Sequence, residues 1–252
     1  HTIMTIDEIY RLVQTFANKE QRGFITPSDF NLLAKQAELE LVNKRLDVLQ
    51  EKSQPKKAGG FVNESLTPEM AEQDLAPFLF TTKYGVVART VTSGYLETEV
   101  AIPVTDNILL IKEVFILPDE KFGINSHTPL ELVKPENINK VLRSSLVKPS
   151  MDFPIGLMSG STTIGNLRIR VFPESIKNVM VHCYKMPSES PEWNYVTIAG
   201  KPVHDPSNST QFRFPSRVHG EIVVKILEYL GVNLREAQLV QYAQGNEVKA
   251  DS

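Results

Sequence analysis

Apolar positions recur with a helical period at the start of the chain and with a strand period from about Leu79 onwards. Ile6, Ile9, Tyr10, Val13, Phe16 and Ala17 fall every three or four residues, which lines one face of a helix. Thr5 stands just ahead with Glu8 three residues on, a capping-box pattern. The next start signal is stronger. Thr26 can cap, Pro27 suits the first helical position, and Asp29 completes the box. From there Phe30, Leu33, Ala34, Ala37 and Leu41 form one stripe, and Leu32, Leu39 and Leu46 form another on a different side. A helix with two apolar stripes needs two partners. One is expected to be the first helix, the other the rest of the chain or a neighbouring subunit.

Gln50 to Gly60 is crowded with Lys, Ser, Pro and Gly and reads as a linker. A short helix is expected over Pro68 to Leu75. The strand candidates are Tyr84 to Val91, Ile108 to Leu117, Ile164 to Phe172, Val179 to Met186 and Tyr195 to Ile198. Two alternate cleanly: Leu167, Ile169 and Val171 against Arg168 and Arg170, and Val179, Val181 and Cys183 against Met180 and His182. A helix from Pro135 to Leu146 interrupts the strands, and a last one runs from Ser216 to Leu230 with Gly231 as its cap. The expected fold class is α+β, with an N-terminal helical pair, a strand-rich central domain carrying an inserted helix, a C-terminal helix and an extended tail. The expected boundaries are 4–50 for the helical hairpin, 51–77 for linker and short helix, 78–215 for the strand-rich domain, 216–231 for the C-terminal helix and 232–252 for the tail.

Composition changes this picture little. The 252 residues are 41% hydrophobic and 23% charged, ordinary for a globular chain with a substantial core. The net charge of −3 offers no global attraction to DNA or an anionic membrane. One cysteine, Cys183, leaves no internal disulfide and no multi-cysteine zinc site, and suits a reducing compartment. No apolar run approaches the roughly eighteen residues that span a bilayer. No signal-peptide pattern opens the chain, and Met4 reads as a start preceded by three added residues.

Candidate chemistry is sparse. Asn18 to Asp29 has the outline of a calcium loop, with Gly23 and Ile25 in place. Its ligand positions hold Asn18, Arg22 and Asp29, and an arginine there repels a cation, so a helix-turn-helix is expected. The histidines form no zinc motif, and His182 and Cys183, adjacent in a strand, point to opposite faces. His204 and Asp205 read as a turn. No nucleophile elbow, Walker loop or dinucleotide fingerprint is present. Trp193 reads as a packed anchor. Arg168 and Arg170 share one strand face, either as half-buried stems or as contacts to DNA or a partner. No catalytic residue, metal ligand or cofactor is expected.

Several segments together resemble a known family. Phe16 to Asn31 reads Phe-Ala-Asn-Lys-Glu-Gln-Arg-Gly-Phe-Ile-Thr-Pro-Ser-Asp-Phe-Asn. This is similar to the opening of a structural protein family of bacteriophages that infect Bacteroidetes, the crAss-like phages included. Arg143-Ser144-Ser145 with Lys148-Pro149 and Pro154-Ile155, then Pro187 to Trp193, then Tyr229 to Arg235, extend the likeness over most of the chain in order. The resemblance implies a neck or tail ring below the portal, with about twelve copies closing by rotation. Double-stranded DNA would pass through it in transit, and the portal and other neck and tail rings would be its partners. It implies location in the virion after assembly in the host cytoplasm, with no membrane insertion and no catalytic residues.

A ring needs one patch that meets a different patch on the next copy. The expected interface residues are Leu32, Leu39 and Leu46 on the second helix and Leu234, Leu239, Val240 and Tyr242 on the tail, which is too irregular to build its own core. Deleting 232–252 is then expected to abolish rings and leave a folded monomer. The competing expectations are a glycan-binding module using Trp193, Asn194 and Tyr195, and an enzyme whose site assembles from scattered residues.

Overall fold

A computed structural model describes residues 4–19, 23–52, 66–90, 96–117, 127–144, 148–160 and 166–232. The chain is α+β. In order it forms α1 (Ile6–Lys19), α2 (Pro27–Lys52), α3 (Pro68–Leu75), β1 (Leu79–Gly85), β2 (Val87–Thr90), β3 (Leu96–Ile102), β4 (Ile108–Ile116), β5 (Thr128–Pro129) and β6 (Glu131–Leu132). Then come α4 (Ile138–Arg143), β7 (Ile155–Gly160), β8 (Leu167–Phe172), β9 (Asn178–Lys185), β10 (Tyr195–Ile198), β11 (Lys201–His204) and α5 (His219–Tyr229). These fall into two compact units. One comprises the described residues up to Pro77 and from Pro187 on; the other is Phe78–Met186, inserted between them in sequence.

In the first unit both N-terminal boxes close as the sequence dictates. The Thr5 N–H donates to Glu8 Oε2 at 2.6 Å, and the Glu8 N–H donates back to Thr5 Oγ1 at 3.3 Å. Thr26 Oγ1 donates to Asp29 Oδ2 at 2.6 Å, and the Asp29 N–H returns to Thr26 Oγ1 at 3.2 Å. Thr67 caps α3 through the Met70 N–H, with Pro68 at its first position. At the far end of α5, Gly231 takes a φ of 73°. Its N–H donates to Glu228 O at 2.9 Å and the Val232 N–H to Leu227 O at 2.8 Å, with Val232 buried beneath, which is a Schellman closure.

The main partners of α2 are α3 and α5, not α1, which packs chiefly on α5. A partner within the unit therefore covers Leu46 of the second stripe, while Leu32 of the same stripe stays exposed. The pattern hides a further surprise. Glu38 and Arg45, seven residues apart, both point into the buried face of α2. Arg45 Nε donates to Asp74 Oδ2 at 2.8 Å and Nη2 to Glu221 Oε1 at 2.9 Å, while its guanidinium lies 5.0 Å over the Phe214 ring. Arg217 reaches the other Asp74 oxygen at 2.7 Å. One buried arginine thus ties α2 to α3 and α5.

The second unit is two sheets around one core. One has the order β1-β9-β4-β5 and the other β2-β3-β8-β7-β6, antiparallel throughout except for β6 beside β7. Val100, Ile102, Ile169 and Val171 from the second sheet meet Val114, Ile116, Val179, Val181 and Cys183 from the first. Burial pushes the Cys183 thiol pKa up. The alternation breaks in β4, where two register shifts bring Ile111 opposite Cys183 and Glu113 opposite His182. Gly156 in β7 is required by close approach, since a Cβ there would lie 2.3 Å from Leu130 Cδ2.

Several boundaries differ from expectation. Gln50 to Lys52 continue α2 rather than open a linker. The stretch expected as a strand from Tyr84 to Val91 divides between β1 and β2. The strand-rich unit ends at Met186, and residues 187–215, expected with it, group with the helices. Strands β3, β7 and β11 were not legible. Two glutamates punctuate β3, two glycines thin β7 and Pro202 sits in β11, all residues disfavoured in strands.

Candidate assembly surface

Among the described residues of the helical unit, the hairpin β10–β11 is exposed at every position but His204. Tyr195 faces His204 across it, Val196 faces Val203, Thr197 faces Pro202 and Ile198 faces Lys201. Ala199 and Gly200 form its two-residue turn with φ values of 50° and 77°, both left-handed, as a turn matching strand twist requires. Alternation gives the hairpin two faces. Tyr195, Thr197, Pro202 and His204 lie on one; Val196, Ile198, Lys201 and Val203 lie on the other.

The first face is rooted through Trp193. This tryptophan is 4% exposed. Its ring lies 4.3 Å from that of Tyr10, 5.5 Å from His204 at an interplanar angle of 11°, and 5.8 Å from Tyr195. Its indole N–H donates to Asp7 Oδ1 at 3.0 Å, and its backbone N–H donates to Asn31 Oδ1 at 2.8 Å. The hairpin is thereby fixed to both α1 and α2. Burial also pushes the Tyr10 pKa up, keeping its hydroxyl a donor to Ile25 O at 3.1 Å. The turn likened to a calcium loop is thus closed by a tyrosine. The packed-anchor reading of Trp193 holds, and its ring faces are already stacked, which removes the platform a sugar would need.

His204, Ser209 and Asp7 approach a nucleophile-base-acid arrangement, with Nε2 3.0 Å from Ser209 Oγ and Nδ1 3.7 Å from Asp7 Oδ1. The hydrogen bonds assign another role. Ser209 Oγ donates to Asp205 O at 2.8 Å and accepts from the Asn194 N–H at 3.0 Å. Asp205 O is thus a second acceptor for the hydroxyl proton beside Nε2, and the direction of the Nε2–Oγ bond follows the His204 tautomer. Asp7 meanwhile holds Trp193 and Arg11. The trio clasps the hairpin base. Among the described residues, no group of three His, Cys, Asp or Glu side chains could hold a metal ion, and no helix is long and apolar enough to cross a membrane.

The second hairpin face is open: Ile198 is 58% exposed, Val196 47% and Val203 42%. Beside the hairpin runs a groove of about 670 Å³ between α1 and residues 200–204, lined by Tyr10, Gln14, Phe24, Trp193, Pro202 and Val203 among others. Phe24 on its rim is 62% exposed.

The expected interface residues fare differently. Leu32 is 68% exposed and available, Leu39 is half-buried, and Leu46 is 4% exposed. Leu46 belongs to the core of its own unit, because the C-terminal half of α2 is the part that meets α3 and α5. Leu234, Leu239, Val240 and Tyr242 lie outside the described residues. Arg168 and Arg170 are half-buried on β8. Arg168 Nε is 3.7 Å from Glu99 Oε1, and the Arg170 guanidinium lies 5.6 Å over the Phe172 ring. The apolar face of β10–β11 was not picked out from sequence, although Val196, Ile198 and Val203 around a small-residue turn carry the signal. No protein-family model matches this sequence, and no curated protein matches it either.

Proposed function

We propose that this chain is a non-enzymatic virion protein that forms a closed ring in the neck or tail of a bacteriophage. The ring lies below the portal and supports the channel through which DNA leaves the capsid. The carrying observation is the uncovered apolar surface on the helical unit, at Leu32, Phe24, Val196, Ile198 and Val203. Water-exposed side chains of this size on a rigidly anchored hairpin fit a surface that a partner covers. The placement in a phage rests on the sequence likeness of Phe16 to Asn31 and the later segments. The net charge of −3 suits a channel that DNA crosses without sticking. The neighbours in the stack are the portal and other neck and tail rings.

Electron microscopy of the purified protein is the test. Closed rings with a central channel, about twelve subunits around, are expected. A protein that stays monomeric at high concentration overturns the reading.

A further inference from the structure

We infer that the peptide bond between Asp205 and Pro206 is a self-cleavage site, its carbonyl attacked by the Asp205 side chain and polarised by Ser209 with His204 behind it. The inference stands apart from the ring reading and asks for no turnover, since each chain cuts itself once.

Three features carry it. The first is the position of the nucleophile. Asp205–Pro206 is the one Asp-Pro pair among the 252 residues. Asp205 Oδ1 accepts from the Ser207 N–H at 3.1 Å, and Oδ2 accepts from Asn208 Nδ2 at 2.6 Å. A side-chain bond to the amide two residues on closes the same ring as a backbone turn. In a backbone turn one carbonyl oxygen approaches the next carbonyl carbon to about 3 Å, along the line of nucleophilic attack. In the side-chain version Oδ1 takes the place of that oxygen, and the Asp205 carbonyl carbon is its target. The Asn208 bond, with the Ser207 amide, also holds the carboxyl below the ordinary carboxylate range, so it stays an anion in mild acid.

The second feature is the carbonyl. Ser209 Oγ donates to Asp205 O at 2.8 Å. Oγ itself accepts from the Asn194 N–H at 3.0 Å and, with the His204 proton on Nε2, from that ring at 3.0 Å. In that tautomer the hydroxyl proton is aimed at the oxygen where negative charge gathers during attack. The third feature is the leaving group. Pro206 N is a tertiary amide nitrogen without a hydrogen, so the competing closure of backbone nitrogen onto the Asp205 carboxyl is blocked. Pro206, Ser207 and Asn208 are exposed, which lets solvent bring the nitrogen the proton it needs to leave.

In the step itself an Oδ1 lone pair bonds to the Asp205 carbonyl carbon, and the carbonyl π pair moves onto the oxygen that faces Ser209. The pair returns, the C–N bond breaks with its electrons on Pro206 N, and that nitrogen takes a proton from solvent. The five-membered anhydride left on Asp205 is opened by one water molecule to two carboxyls. The piece beginning at Pro206 keeps α5, whose Ile222, Val223, Ile226 and Leu227 are buried in the core. The two pieces therefore stay together until denatured.

Intact-mass spectrometry after denaturation tests the site on the full-length chain, held for days at about pH 5 and about pH 7. Pieces 1–205 and 206–252 are expected, forming faster at the lower pH. Their rate is expected to exceed that of the same protein unfolded in urea at that pH by about tenfold or more, because only the fold holds the attacking geometry. Asp205→Asn is expected to stop the cut, and Ser209→Ala to slow it on the order of tenfold or more, with circular dichroism showing both variants folded. An intact chain after that time overturns the inference, and so do equal rates in folded and unfolded protein. An undiminished cut in Asp205→Asn or in Ser209→Ala overturns it as well.

Discussion

Glu38 gives the sharpest quantitative expectation. Its side chain is fully buried on α2. Oε1 accepts from the Arg213 N–H at 3.0 Å, and Oε2 finds no hydrogen-bond partner. Burial outweighs that hydrogen bond and the nearby Arg213 charge, so the carboxyl is pushed up to about 7 from its ordinary 4.5. The sign follows from proton counting. Between those values the folded chain holds a proton that the unfolded chain has released, so stability falls as pH rises. Glu38 contributes its full stability below about pH 4.5, loses it progressively towards pH 7, and adds no slope beyond. At about 1.4 kcal/mol per pH unit, the loss is about 3 kcal/mol. His219 acts in the opposite sense, since burial lowers its pKa, and a difference between two proteins cancels it. Glu38→Gln keeps the acceptor for Arg213 but no longer titrates. Its buried amide costs about 1–3 kcal/mol at every pH. The measurement is urea unfolding followed by Trp193 fluorescence, which reports on the same unit. Between pH 4.5 and 8 the glutamine variant should gain about 3 kcal/mol relative to wild type. Parallel stability curves across that range would refute the burial argument.

Two further expectations follow from packing. Arg45→Met removes the guanidinium from a site with no side-chain exposure and leaves Asp74 to Arg217 alone; the expected loss is about 3–5 kcal/mol by denaturant titration, with the methionine unable to restore it. Gly156→Ala in the strand-rich unit drives a Cβ against Leu130, Leu132 and Ile169; an overpacking cost of about 1–3 kcal/mol is expected, read as a lower Tm in calorimetry.

The sequence alone determined the local elements. Thr5 with Glu8 and Thr26 with Asp29 announce helix starts because each box satisfies orphan amides a few residues away, and Gly231 announces an end because glycine takes the left-handed turn at no steric cost. The alternation in β8 and β9 is equally local. Tertiary structure decided what those elements face. The period of α2 marks two apolar stripes but cannot say that α3 and α5, rather than a neighbour, cover Leu46. Nor can it say that Glu38 and Arg45 are inside, because a charged residue on a helix stripe is ordinarily taken as solvated until its partners, Asp74 and Glu221, arrive from distant segments. The strands carrying Glu97, Gly156 and Pro202 depend on ladders formed with β8 and β10 and not on their own propensity. The open face of β10–β11 is likewise a tertiary fact. Val196 and Ile198 read as ordinary strand residues, and only their exposure among the described residues turns them into a surface.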